Sequence, residues 1–466
     1  MKKYILITGL LALLITAGVM LQGKARQYLG NMDASRNYQT YCASCHGEQL
    51  KSFVDRKWTY GKSWNTVFTG IKEGYPDGGM PAYGETFTDK EIAALVNYIL
   101  TGIEKTTIKS FQSPTPPQGI IQTQDYKVRI DTVVGGIDVP WGIAFLPDGD
   151  MLVTDRQGDF YRFREGEPLH RIGNVPKVRA AGQGGLMDVE VHPQYAQNGF
   201  IYLSYSKPKG AENTTAVLRA RLENDRLVDV KEIFEAQPYV STRHHYGSRL
   251  EFDTAGYLYL SVGDRGRRED HPQYLTNACG KIHRIHDDGS IPEGNPFVDQ
   301  PDAVRSIFSY GHRNPQGLAM NPESGEIWDN EHGPRGGDEI NRIEKGKNYG
   351  WPVISYGINY NGSKFTDITA KEGMEQPVDY WVPSIGVCGM TFVSGDQFPN
   401  WKGDILSGSL RFNYIHRTIM EGNKVIGEEK LLPNIGRLRT VAMGPDGFVY
   451  IGKENPGYVL RLVPVP

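Results

Sequence analysis

Cysteine is scarce in this chain, with four among 466 residues. Two of them, Cys279 and Cys388, stand alone, so the sequence cannot build a zinc site from two paired half-sites. They leave open one disulfide in an oxidising compartment or two separate core thiols. An excess of one charge is lacking as well. Lys and Arg number 51 against 54 Asp and Glu, a formal charge of -3, and there is no basic run. That balance argues against nucleic acid or an acidic membrane surface as partner. Helical periodicity is nearly absent beyond residue 126. The length predicts two or three domains of ordinary globular composition.

The other two cysteines lie in Cys42-Ala43-Ser44-Cys45-His46. A zinc half-site or a redox dithiol has the same Cys-x-x-Cys spacing, but a histidine directly after the second thiol points to covalent attachment of a c-type haem. Cys42 and Cys45 then form the thioethers and His46 the proximal iron ligand. Met80, in Gly78-Gly79-Met80-Pro81, is the candidate for the opposite ligand, although a methionine there also suits a core gap. Thr88-Asp89-Lys90-Glu91 reads as a capping box, followed by Ile92, Leu95, Val96 and Ile99 at helical spacing. Residues 34–104 are expected to form a small all-α cytochrome c domain.

Such attachment takes place outside the cytoplasm, and the chain opens accordingly. Lys2-Lys3 precede an apolar run from Tyr4 to about Leu21, expected to be a signal peptide or an uncleaved membrane anchor over residues 1–25. Residues 105–125 include Ser113-Pro114-Thr115-Pro116-Pro117 and read as a linker.

From residue 126 to 466 a loose unit recurs, made of a short strand, a turn and another strand. It appears at Gly142–Phe145 with Met151–Thr154, Leu186–Val189 with Ile201–Ser204, and Arg249–Phe252 with Tyr257–Leu260. It returns at Gly317–Met320, at Gly389–Phe392, and at Thr440–Met443 with Phe448–Ile451. Six near-equivalent units predict an all-β six-bladed β-propeller; a pair of β-sandwiches is the alternative and would not need so many. Four polar clusters fall at its turns. His244-His245 offers a base near neutral pH. Arg313-Asn314 offers donors for a developing oxyanion. Arg437 and Arg439 share a strand face and suit carboxylates. The loop from Glu331 to Glu339 has carbonyls that suit calcium. Each has an ordinary structural reading too, as a satisfied histidine, a solvated strand face or a turn.

These clusters, with Gly182-Gln183-Gly184-Gly185-Leu186, Tyr310–Gly317 and Asn348-Tyr349-Gly350-Trp351-Pro352, resemble the soluble quinoprotein sugar dehydrogenases, and the aldose sugar dehydrogenase branch more than the glucose branch. The resemblance implies pyrroloquinoline quinone and calcium as cofactors beside haem c. It implies His245 as general base, Arg313 as the group polarising the quinone carbonyl, and Gln183, Asn314, Arg411, Arg437 and Arg439 around the quinone. Carbonyls of Gly333 and Pro334 become ligands of a catalytic calcium, and Glu339 and Tyr349 ligands of a structural one. Arg411 stands where the family often has lysine, and His244 where the glucose branch has aspartate. The implied activity is periplasmic oxidation of aldoses to lactones, with electrons leaving through the haem to a periplasmic cytochrome or a terminal oxidase. Another sugar-derived aldehyde or alcohol as substrate, or a quinone-free binding propeller, is the alternative.

Overall fold

The computed structural model describes residues 33–47, 50, 53, 58–105 and 119–466. The expected export segment, most of the linker and the Cys45 side chain lie outside the described residues. Among those described, no helix is long and apolar enough to cross a membrane. The chain divides into two compact units, a small helical one before the linker and a larger β one after it.

In the first unit a turn of π-helix, Tyr38–Cys42, runs into the helix Ala43–His46, followed by helices Trp64–Glu73 and Asp89–Lys105. The last starts at the predicted capping box. Thr88 N–H donates to Glu91 Oε2 at 2.8 Å while Glu91 N–H reaches back to Thr88 Oγ1 at 3.4 Å. Its apolar stripe, Ile92, Leu95, Val96 and Ile99, is buried against Tyr38, Val67, Ile71, Tyr83 and Phe87.

The second unit is six sheets, five of four strands and one of five. The innermost strands are Pro140–Phe145, Leu186–Val191, Leu250–Phe252, Pro315–Met320, Val387–Phe392 and Leu438–Met443, numbered here as blades one to six. Each predicted repeat falls on one of them. Blade six closes the ring: Lys127–Gly135, from the start of the unit, pairs antiparallel with Tyr458–Val465 from its end. Ile120–Gln122 adds an outer strand on Lys127–Arg129, so the sheet reaches into the stretch read as linker.

Arg249 ties the centre. Its guanidinium donates to Trp141 O at 3.3 Å, Asp188 Oδ1 at 3.1 Å, Gln316 O at 2.7 Å and Arg439 O at 2.8 Å, joining blade three to blades one, two, four and six. It also lies 4.0 Å from the centre of the Trp141 ring. A buried cation with this many acceptors fixes the ring's register. Cys279 and Cys388 are both free and buried, and burial pushes each thiol up to about 11, so the open question of a disulfide resolves into two inert core thiols.

Candidate functional site

The end of the propeller where inner strands begin and second strands finish collects the polar residues. Loops entering blades two, three, four and six carry Gln183, His245, Arg313-Asn314 and Arg437. Second strands end at or just before Asp155, Asp264, Glu331, Arg411 and Glu454. At the opposite end, beyond Arg249, a cavity of about 620 Å³ is lined by residues of all six inner strands, apolar side chains together with Asp188, Glu190 and Glu251.

His245 sits in a left-handed conformation, φ +54°, followed by Gly247 at +62° and Ser248 at +80°. Two contacts hold this turn. Gln183 Oε1 accepts the His245 N–H at 2.7 Å, and Gln183 N–H donates to Arg243 O at 2.8 Å. Gly263 makes room, because a Cβ there would lie 2.4 Å from His245 O. His245 Nδ1 is 2.6 Å from Asp264 Oδ1, whose carboxylate also accepts Gly266 N–H at 2.7 Å and Trp351 Nε1–H at 2.8 Å. Asp264 is buried; burial alone would raise its pKa, but His245 and Arg313 hold it well below the usual carboxylate range. An ionised Asp264 assigns the Nδ1 proton to His245 and leaves Nε2 with its lone pair. Burial, then the nearby Arg313 charge, keeps His245 below its ordinary pKa, so the ring is neutral at neutral pH.

Arg313 and Asn314 are fixed through their backbone. Both N–H groups donate to Glu331 Oε2, at 2.6 and 3.2 Å. Arg313 Nη1 donates to Gly333 O at 2.8 Å and His332 O at 3.0 Å, and Asn314 Oδ1 accepts Gly247 N–H at 3.1 Å. Arg313 Nε and Asn314 Nδ2 are buried and have no acceptor in the protein. Two such donors are costly unless a bound acceptor satisfies them.

The turn Gly333–Gly337 is tight: a Cβ on Gly333 would lie 2.1 Å from Gly337 O. Gly333 O takes the Arg313 bond and Pro334 O a 3.3 Å bond from Ser384 Oγ. Each carbonyl keeps a second lone pair for a cation. Beside them a space of about 10 Å³, room for one ion or water, is lined by Glu331, Gly333, Gly337, Glu339 and Tyr349 among others. The Tyr349 hydroxyl is engaged, donating to Arg342 O at 2.5 Å and accepting Glu344 N–H at 2.9 Å. Its carbonyl is therefore the group available to a cation.

The three arginines differ. Arg439 is buried on Glu454, with Nε and Nη2 on one oxygen and Nη1 at 3.2 Å from Gln316 Oε1. Arg437 donates to Leu410 O at 2.8 Å and to Glu454 Oε2 at 3.3 Å, and Arg411 to Ser384 O at 3.1 Å; both remain partly exposed. The structure thus brings Gln183, His245, Arg313 and Asn314 into one hydrogen-bonded network and gives Arg439 a carboxylate partner that the strand-face pattern did not suggest. Sequence reasoning also missed Asp264 as the partner of His245. A signal was present: acids close the second strands of blades one, three, four and six, one or more residues past the apolar run.

In the helical unit, Cys42 ends the π-turn, and Cys42 and Met80 each pack against the same apolar cluster. Met80 is held by paired bonds with Tyr75, N–H to O at 3.1 Å and O from N–H at 2.8 Å. The His46 ring stacks on Phe53 with centroids 4.6 Å apart.

Comparison with known proteins places this geometry. A family described as glucose/sorbosone dehydrogenase matches residues 137–461, and one described as cytochrome c oxidase, cbb3-type, subunit III matches residues 31–99. Aldose sugar dehydrogenase YliI of Escherichia coli is 42% identical over 346 residues, spanning 72% of this chain and 93% of that protein. The apo crystal structure of a soluble aldose sugar dehydrogenase of Escherichia coli aligns with TM-score 0.70 at 41% identity, over 72% of this chain and all of that one. The pyrroloquinoline quinone-bound aldose sugar dehydrogenase of Streptomyces coelicolor aligns with TM-score 0.61 at 26% identity, over 75% of this chain and 99% of that one.

Proposed function

As the chain belongs to the glucose/sorbosone dehydrogenase family and carries an N-terminal cytochrome c domain, we propose that it oxidises aldose sugars at C1 to lactones with pyrroloquinoline quinone and calcium, and passes the electrons out through its own haem. The observation that carries this reading is the neutral His245, fixed by Asp264, beside two buried donors on Arg313 and Asn314 that lack acceptors.

The residues fit the groups assigned to them. A tricarboxylate rich in acceptors suits the unpartnered Arg313 and Asn314 donors and the partly exposed Arg437 and Arg411. Gly333 and Pro334 carbonyls suit the catalytic calcium, and Glu339 with the Tyr349 carbonyl suits a second, in the space of about 10 Å³. When bound, the quinone supplies the electrophilic carbonyl that accepts hydride. His245 Nε2 takes the proton of the anomeric hydroxyl, and Asp264 stabilises the imidazolium so formed. Arg313 lends positive charge where the hydride acceptor becomes negative, without reorganisation. Gln183 keeps the His245 turn in its left-handed pose, so the base is aimed before substrate arrives.

The cytochrome unit offers the electrons a one-electron exit, with Cys42 and Cys45 as thioether positions and His46 and Met80 as axial ligands. Haem attachment of that kind, which takes place outside the cytoplasm, supports a location in the periplasm or on the outer face of the cytoplasmic membrane, with a cytochrome or terminal oxidase as the proposed acceptor.

The test is haem reduction, followed by absorbance, in full-length haem-loaded protein given calcium and a panel of aldoses. Reduction that needs both sugar and quinone supports the circuit. Quinone binding without reduction by any aldose would move the substrate to another sugar-derived aldehyde or alcohol, and absence of quinone binding would overturn the enzymatic reading.

A further inference from the structure

Blade four carries polar groups that the proposed reaction does not use. Its strands Ile327–Glu331 and Asp338–Arg342 pair so that Asp329 lies opposite Asn341 and Glu331 opposite Glu339. The two-residue period of a strand puts all four side chains on one face. Asp329 is fully buried, and neither of its carboxylate oxygens has a hydrogen-bond partner. Asn341 Oδ1, also buried, has none either. Facing them is His312, whose Nδ1 is 3.6 Å from Asp329 Oδ2 and 3.1 Å from Glu331 Oε1. Its Nε2 is 2.8 Å from Ser309 Oγ.

A carboxylate taken out of water with no donor must be neutralised by a proton or by a cation. The rest of the cluster favours a cation. Three unpartnered acceptors meet there, both Asp329 oxygens and Asn341 Oδ1, and a proton shared between Asp329 and Asn341 would still leave the second Asp329 oxygen without a donor. In the tautomer whose Nε2–H donates to Ser309 Oγ, a cation between Nδ1 and Glu331 Oε1, 3.1 Å apart, would meet the Nδ1 lone pair, with the outer nitrogen hydrogen-bonded as in a metal-binding imidazole; without a cation that contact requires a proton on Nδ1. One ligand atom each from His312, Asp329 and Glu331 already lies within 4.8 Å of the others. An ion about 2.1 Å from each would require separations of no more than about 4.2 Å, a closure of a few tenths of an ångström per side chain.

We propose that His312, Asp329 and Glu331, with Asn341 Oδ1, form a buried site for a divalent cation of the zinc or manganese kind. A ligating nitrogen argues for those metals, because calcium prefers an all-oxygen shell. The site adjoins the space assigned to calcium and shares Glu331 with it, but His312, Asp329 and Asn341 do not line that space. It also bears on the reaction centre: the other oxygen of Glu331 holds the Arg313 and Asn314 backbone, so a cation there would stiffen the loop that carries both.

The test compares the full-length protein with its Asp329→Leu variant, each stripped with EDTA, given zinc, manganese or calcium separately, and freed of loose metal by gel filtration. Wild type is expected to keep about one equivalent of zinc or manganese and to melt about 4 °C or more higher with it than stripped. The variant is expected to keep none, to melt at a temperature those two metals do not move, and to respond to calcium as wild type does. The sign of the stripped comparison is diagnostic: leucine should raise the melting temperature of metal-free protein, because it removes an unsatisfied buried carboxylate, and lower it relative to the zinc-loaded wild type. Asn341→Leu supplies a second variant in which zinc retention should fall at least tenfold, should Asp329→Leu not fold. The proposal is overturned if wild type retains neither metal, if a variant retains as much as wild type, or if Asp329→Leu loses the calcium response instead. None of these readouts depends on turnover, so a failure of the sugar dehydrogenase reading would leave them unchanged.

Discussion

Arg439 donates through Nε and Nη2 to a single oxygen of Glu454, at 2.9 and 2.8 Å, while Arg437 reaches the other oxygen at 3.3 Å. The arginine expected to grip a cofactor carboxylate is thus already neutralised by the protein. Burial alone would raise the Glu454 pKa, but Arg439 and Arg437 hold it far below the carboxylate range, so it is ionised at any working pH. Glu454→Gln should therefore do two opposite things. It should destabilise the cofactor-free protein by about 3 kcal/mol, since Arg439 becomes an unpaired buried charge. It should also enlarge the rise in melting temperature on adding the anionic quinone. A smaller rise than in wild type would mean that Glu454 holds the arginines in a pose the quinone needs.

The same carboxylate makes stability depend on pH. A depressed pKa contributes stability that is present above the unfolded value, near 4.5, and is lost as pH falls toward the folded one. Acid unfolding of Glu454→Gln should accordingly be shallower below about pH 4.5 than that of wild type.

For His245 the expectation concerns the acid limb of kcat/KM. Burial and Arg313 lower its pKa, so the limb should fall below about pH 6.5, the ordinary histidine value. Asp264 is among the groups that raise it, so Asp264→Asn should move the limb further down while lowering kcat by about 10²-fold or more. His245→Gln should remove turnover and leave the haem spectrum intact. A limb that stays put in Asp264→Asn would dissociate the titration from His245.

Arg249 gives a stability prediction. Arg249→Met leaves Asp188 buried without its cation and breaks bonds to four blades, at a cost of about 3–5 kcal/mol in urea unfolding. Asp188→Asn added to it should recover a substantial part, because the amide oxygen can still accept the Leu250 N–H that Asp188 Oδ2 holds at 3.0 Å. Strict additivity of the two losses would show that the pair is not coupled.

The propeller was legible because each blade repeats an apolar inner strand, a turn and an apolar second strand, a local pattern that survives without contacts. The capping box at Thr88 was legible for the same reason, its partners being three residues apart. The site was legible as residue types and not as pairings. His245 and Asp264 are 19 positions apart, and Arg249 and Arg439 are 190, distances over which period and propensity carry no information. Asp264 and Glu454 read as ordinary strand ends, and Glu331 as the start of a loop suited to calcium, until the ring brings them against the loops of blades three, four and six. Asp329, inside Ile327–Glu331, carries no sequence signal, and only its burial without donors makes it a candidate ligand.

The boundary at residue 126 had the weakest signal, since no apolar period marks Ile120–Gln122, and the structure shows why it matters. Arg417, nearly inaccessible, faces three carboxylates: Asp404 at 2.7 Å, Asp125 at 2.6 Å and Glu429 at 2.9 Å. Asp125 also accepts Trp401 Nε1–H at 3.0 Å, and Gln124 N–H donates to Glu429 at 2.7 Å. The segment just ahead of residue 126 therefore clips blade five to the closing blade. A propeller begun at residue 126 should be less stable than one begun at residue 119 by about 2–4 kcal/mol, the loss of one buried charged hydrogen-bond partner plus a short edge strand. Asp125→Ala in the longer form should account for about half of that loss. Equal unfolding midpoints for the two start points would show that the ring closes on Lys127–Gly135 alone and that the clip at Arg417 is carried by Asp404 and Glu429.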